Sequence, residues 1–277
     1  MLEFQLFRIE VYPPLQGRLW EQPKTRSEIL QEVINSLPSA KLRRGMVWHV
    51  GNVSKIDENG LYFRLGRITR STREVYHDSR FEEQEFEEAP YTHVLLDLPL
   101  EVCAIARKIK LAAKTSRIAR QFVRLLDKSE GNVRFQADFD IKEIYDPTDF
   151  LTHLNQAISI SKFWVTFSKP NAFDVNEDFI RPMQKLLDES EGEDGKTEIE
   201  GENLNPGTLG ELARSAASVG NDAGALLQTQ ERWPRVRKSL KGNPATFNTD
   251  EDVSTDEQKK SILSGIRQLY QRLRSGS

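Results

Sequence analysis

The sequence predicts an α+β protein of two packed lobes on mixed or antiparallel sheets, the second lobe ferredoxin-like. Short runs with two-residue alternation, such as FQLFRIEVY near the start, indicate strands. Apolar residues three and four positions apart indicate helices between them. A length of 277 residues exceeds what one core usually serves. We therefore expect lobes at 1–130 and 131–237, a polar linker at 238–256 and a final helix at 257–277.

The first lobe begins with a strand that Pro13 and Pro14 end. A helix capped by Thr25 or Ser27 follows and runs to Leu37, before Pro38. Two strands, 46–53 and 61–69, are then separated by Asp-Glu-Asn-Gly, and an Asn-Gly pair between apolar runs predicts a hairpin.

The rest of the first lobe is divided by charge. Residues 81–101 hold seven acids and no Lys or Arg, and 81–89 is expected to form an acidic loop. Residues 107–128 hold eight basic residues and one acid. Wound as a helix, the second segment places one stripe of charge on its outer face, formed by Lys110, Lys114, Arg117, Arg124 and Lys128.

The second lobe reads as strand, helix, strand, helix, strand, which is the basis for the ferredoxin-like prediction. The strands are 133–145, 162–168 and 196–200, and the helices are 147–157 and 176–188. A small-residue helix follows near Leu209. The last helix carries a clean apolar stripe, so it either completes the chain's own core or contacts a second subunit.

Composition excludes several classes of protein. The mean hydropathy is −0.57 and no apolar run approaches the roughly 18 residues of a membrane span, so we expect no membrane contact. The start lacks the layout of a secretory signal, which predicts a cytoplasmic protein. Cys103 is the only cysteine, so an internal disulfide is excluded. No nucleotide-binding loop, zincin or serine-hydrolase motif is present, and we expect no cofactor and no metal.

A positive stripe is complementary to a polyanion, and the hairpin adds aromatic residues interleaved with arginines. Rings that stack on bases and cations that hold phosphates are what a single-stranded nucleic acid requires. We therefore predict a non-catalytic nucleic-acid-binding protein, a subunit of a larger complex. Its candidate binding residues are Trp48, Tyr62, Arg64, Arg67, Arg70, Lys110, Lys114, Arg117, Arg120 and Arg124.

Two other functions stay open at this point. The basic face could dock an acidic protein partner, with the last helix, 257–274, mediating assembly. A metal-dependent nuclease would use Asp138, Asp140 and Lys142, which share one face of an alternating strand. The acidic segment 81–101 could also fold over the basic stripe and mask it.

Overall fold

The structure is a computed structural model that describes residues 1–14, 24–42, 46–168 and 180–275. It confirms the α+β class, with two antiparallel sheets. The helices of the described residues are α1 (Arg26–Asn35), α2 (Thr115–Asp127), α3 (Thr148–Gln156), α4 (Ile180–Glu189), α5 (Pro206–Ser218) and α6 (Asp256–Ser275). The predicted helix at 176–188 lies outside the described residues over its first four positions.

The larger sheet has nine strands. Seven follow one path in the order β13-β1-β7-β6-β4-β3-β2, while β5 pairs with β4 and β8 pairs with β1. These strands are β1 (Leu2–Tyr12), β2 (Ser39–Lys41), β3 (Val47–Lys55), β4 (Gly60–His77), β5 (Arg80–Glu88), β6 (Tyr91–Asp97), β7 (Val102–Ala106), β8 (Asp138–Glu143) and β13 (Thr246–Thr249).

The smaller sheet has four strands in the order β10-β9-β11-β12. They are β9 (Ser159–Ser168), β10 (Asp194–Glu200), β11 (Ala223–Gln228) and β12 (Val236–Ser239). β9 and β10 are joined through α4 and pair directly with each other, in antiparallel orientation. In a ferredoxin-like sheet, two strands joined through a helix have another strand between them, so β9 and β10 do not form the expected arrangement. The reason is that the strand expected at 133–145 becomes β8 and joins the larger sheet instead.

The described chain divides into two compact units. The first comprises 1–5, 9–141 and 248–263, and the second comprises 6–8, 142–247 and 264–277. The first unit buries the apolar faces of β3, β4, β6 and β7 together with one face of α2. The second buries one face of the smaller sheet under α3 and α5, with Phe150, Phe163 and Leu212 in its core.

Local signals explain several boundaries. Thr25 caps α1 because its hydroxyl accepts a hydrogen bond from the Glu28 backbone N–H. The Glu28 carboxylate in turn accepts one from the Thr25 backbone N–H, which completes a reciprocal capping box. The Asn-Gly turn joins β3 to β4 as expected, and the side chain of Asp57 accepts a hydrogen bond from the Asn59 backbone N–H inside it. Asn205 caps α5, with Pro206 in its first turn.

Three other expectations differ from the structure. Residues 81–88 are in a strand rather than a loop, because β4 extends far enough to pair with them along their whole length. The segment expected as a polar linker, 238–256, contains β13, whose strand neighbour is β1. The basic stripe is only partly helical, because α2 begins at Thr115 and both Lys110 and Lys114 precede it.

The last helix spans the predicted residues, and its apolar stripe is buried by the chain itself. Ile262, Leu263, Ile266, Tyr270 and Leu273 are almost completely covered. This is the first of the two alternatives that the sequence left open. No helix among the described residues combines the length and apolar content needed to cross a bilayer.

Candidate nucleic-acid interface

One wall of the candidate site is formed by the hairpin of β3 and β4. The two strands pair so that Trp48 lies directly opposite Arg67, which places both side chains on the same face of the sheet. Phe63 shares that face by alternation and its ring lies 5.3 Å from the ring of Phe122 on α2. The strand therefore presents apolar residues to the helix and Arg67 at the margin of the contact.

The other wall is α2. Its apolar residues, among them Ile118, Phe122 and Leu125, are buried against the sheet. Its opposite side carries Arg117, Arg120 and Arg124, all exposed. These arginines stand at positions i, i+3 and i+7, so they lie along one side of the helix over about 10 Å.

The two walls enclose an open cleft of about 580 Å³. Four of the predicted binding arginines line it, and no acidic residue of the described chain does. The lining residues are Met46, Trp48, Arg67, Leu111, Ala112, Arg117, Arg120, Gln121 and Arg124. The structure thus brings together arginines that the sequence separates by about fifty residues.

We call the cleft with these lining residues the arginine cleft, and Arg67 lies on its sheet side. One of its terminal nitrogens lies 3.0 Å from the Met46 sulfur and the other donates to the Lys110 carbonyl at 3.2 Å. Its Nε is buried and has no hydrogen-bond partner in the part of the chain that the structure describes. Arg67 therefore ties β4 to the segment that enters α2 while adding its charge to the cleft.

The three arginines of α2 remain available to a ligand. Within the described residues none of them forms an ion pair, and only Arg120 has a hydrogen bond, from its Nε to the Ser116 carbonyl at 3.3 Å. The first turn of α2 contains no acid and does contain Arg117. The cleft is therefore a concentrated and uncompensated positive region.

Tyr62 and Arg64, also predicted to bind nucleic acid, lie on the opposite face of β4. The Tyr62 hydroxyl is 2.9 Å from His93 Nδ1 and accepts from Arg64 Nε at 3.2 Å. The Arg64 guanidinium lies 4.4 Å from the centre of the Tyr91 ring. Burial and the nearby Arg64 charge lower the pKa of His93. The Tyr62 hydroxyl, His93 Nδ1 and Arg64 Nε therefore already have partners inside this cluster.

The two aromatic residues proposed for stacking are both buried. Trp48 and Tyr62 are each 3% exposed. The ring of Tyr62 is covered by Lys259, whose Nζ lies 4.8 Å from the ring centre. Neither ring offers a free face to a base in this conformation.

Arg70 belongs to a different part of β4. From Thr69 onward β4 pairs only with β5, and the two strands form a hairpin extension, the acidic arm (residues 69–88), that holds seven acids and three arginines. Arg70 lies 4.0 Å from Glu85, and Arg73 pairs with Glu88. The Arg73 guanidinium lowers the pKa of Glu88. Two of the arm's acids, Glu85 and Glu88, thus lie beside its own arginines.

Two lysines of the predicted basic stripe do not line the cleft. Lys114 is the residue before α2, Lys110 lies four positions earlier, and neither lines the cleft.

On β8, which carries the residues of the candidate nuclease site, Asp138 and Asp140 are exposed while Phe139 between them is buried. Lys142 donates to the Ser168 hydroxyl at 2.6 Å. The described residues contain no group of three or more metal-ligating side chains that could hold an ion.

Sequence reasoning did not find the apolar part of the cleft. Met46, Leu111 and Ala112 also line the cleft, and they come from two segments that no spacing connects. Comparison of the chain with protein-family models finds no match, and a search of curated proteins finds no significant similarity.

Proposed function

We propose that this protein binds nucleic acid without cleaving it, using the arginine cleft to hold phosphates, and that it acts in the cytoplasm as a subunit of a larger complex. The observation that carries the proposal is the convergence of four arginines from β4 and α2 on one cleft that no described acid lines. Guanidinium groups bind phosphate oxygens in pairs of parallel hydrogen bonds, which makes arginine the preferred residue for this task.

The position of Arg117 supports a bound anion. It stands in the first turn of α2, where the helix dipole favours negative charge and disfavours positive charge. A charged side chain in an electrostatically unfavourable position, with no compensating contact in the fold, is a sign of function. A phosphate beside this turn would interact favourably with both the arginine and the helix dipole.

The test is fluorescence anisotropy of labelled DNA and RNA with the full chain over a salt series. If the three free arginines of α2 each neutralise a phosphate, the log-log slope of affinity against salt is about −2.7 on a duplex. The variant R117Q/R120Q/R124Q should lose that slope and most of the affinity. Because these side chains are exposed, the variant is expected to fold.

The matched control is K55Q/R232Q/K260Q, which removes the same charge from exposed positions that do not line the cleft. We expect it to retain the slope and to lose less than about threefold in affinity. Equal losses in the two variants would show that only net charge matters, and absence of binding at low salt would refute the proposal.

A further inference from the structure

We infer that the cleft takes double-stranded nucleic acid by its phosphate backbone and does not read or stack on bases. This inference rests on the proposed function and narrows it, since the sequence alone favoured a single-stranded ligand. Three features of the first unit support it: the burial of its aromatic residues, the position of its exposed rings and the spacing of its free arginines.

Proteins that bind single strands without sequence preference obtain much of their affinity by stacking bases on aromatic side chains. Among the described residues the cleft has one aromatic lining residue, Trp48, and that ring is packed into the sheet. Gln121 is the only uncharged polar side chain of the described lining. The cleft therefore offers charge to a backbone and almost nothing to a base.

The exposed aromatic residues of this unit do not supply the missing platform. Tyr76 is 66% exposed and Phe81 is 82% exposed, but both belong to the acidic arm, among carboxylates that repel phosphates. Phe86 of the arm and Tyr91 each carry an arginine guanidinium against the ring. None of these four described residues lines the cleft.

The spacing of the arginines fits a rigid backbone. Arg117 and Arg124 are seven residues apart, or about 10 Å along the helix axis. Phosphates of one strand of a duplex advance about 3.4 Å each along the duplex axis, so this interval covers about three of them. A duplex also carries about twice the charge per unit length of one of its strands. Electrostatic attraction without stacking therefore favours the duplex.

The experiment compares a labelled duplex of about 20 base pairs with each of its component strands at one salt concentration, using the full chain. We expect the duplex to bind roughly tenfold more tightly than either strand. A second duplex of unrelated sequence should bind within about twofold of the first, because backbone contacts carry no sequence information. The Y76A/F81A variant removes the two most exposed rings of the acidic arm, which do not line the cleft, and should leave duplex affinity unchanged.

The outcomes test the duplex inference and the proposed nucleic-acid binding separately. Equal or tighter binding of the single strands overturns the duplex inference and leaves nucleic-acid binding standing. A loss of affinity in Y76A/F81A, with circular dichroism and melting temperature that match the wild type, does the same. Strong dependence on base sequence overturns it as well. Binding of inorganic phosphate with no binding of either nucleic acid overturns both claims.

Discussion

The arginine cleft and the acidic arm both receive arginines from β4, yet the two regions use them differently. Arg67 lies where β4 passes α2, and Arg70 lies three residues further along the same strand. The cleft places Arg67 beside three other arginines and no described acid. The arm places Arg70 and Arg73 beside Glu85 and Glu88.

The comparison shows that the neighbours of an arginine, rather than its presence in a basic segment, determine whether it can hold a ligand. An exposed ion pair contributes little to stability, but it does occupy the charge of both partners. The arm also places Glu74 opposite Glu83, an unfavourable like-charge pair across the hairpin. Positive charge is left free in the cleft, and negative charge is left in excess on the arm.

The largest expected effect is a difference between the two regions in what the loss of an aromatic ring costs in free energy of unfolding. F122A removes a fully buried ring beneath α2 and should lower the free energy of unfolding by about 3–5 kcal/mol. F81A removes an exposed ring from the arm and should cost less than about 1 kcal/mol. Urea denaturation of the two variants measures the difference. Equal costs would contradict the burial of α2 on the sheet.

Charge reversal compares an arginine of the cleft with one of the arm. R124E should weaken nucleic-acid binding by at least about tenfold and reduce the salt slope by 1 or more. R70E breaks only the contact with Glu85 and should change affinity by less than about threefold. Anisotropy titrations at matched salt give both values. A larger effect of R70E would move the binding surface to the arm.

The helix dipole allows stability and binding to change in opposite directions at one position. R117E replaces a positive charge with a negative one in the first turn of α2, which should stabilise the chain by about 0.3–1 kcal/mol. The same change should abolish most binding. Thermal denaturation and anisotropy on one preparation test both expectations. A fall in melting temperature would show that Arg117 has a structural role.

A smaller effect tests whether the acidic arm masks the cleft, as the sequence left open. E74Q/E82Q/E83Q/E87Q neutralises arm acids that have no ion pair among the described residues. We expect affinity to rise by less than about twofold, because charges beyond about 8 Å are screened at physiological salt. A tenfold increase in affinity would show that the arm covers the cleft in solution.

The smallest expected effect is the response to pH. Arginine stays charged throughout, and the lowered pKa of Glu88 keeps its pair with Arg73 ionised below the usual range for a glutamate. The arginines that line the cleft therefore keep their charge between about pH 6 and about pH 9, and affinity for a duplex should be flat across that interval. Binding that falls steeply through pH 6.5 would implicate a histidine instead of the arginines.

Patterns in the sequence predicted much of the fold but only part of the candidate site. β1, the β3–β4 hairpin, α2 and the last helix were predictable because alternation, an Asn-Gly turn and helical spacing are local properties. The acidic strand β5 was missed because its glutamates have low strand propensity and its pairing depends on how far β4 continues. The path of β8 into the larger sheet depends on β1, more than a hundred residues earlier.

For the site, the sequence by itself determined which side chains carry the positive charge and that Arg117 and Arg124 share one side of α2. Only the tertiary structure decided that Arg67 joins them, that Trp48 and Tyr62 are buried, and that Arg64 and Arg70 lie elsewhere. The physical reason is that charge and periodicity are properties of a segment, whereas burial, facing and ion pairing depend on which segments meet across a sheet.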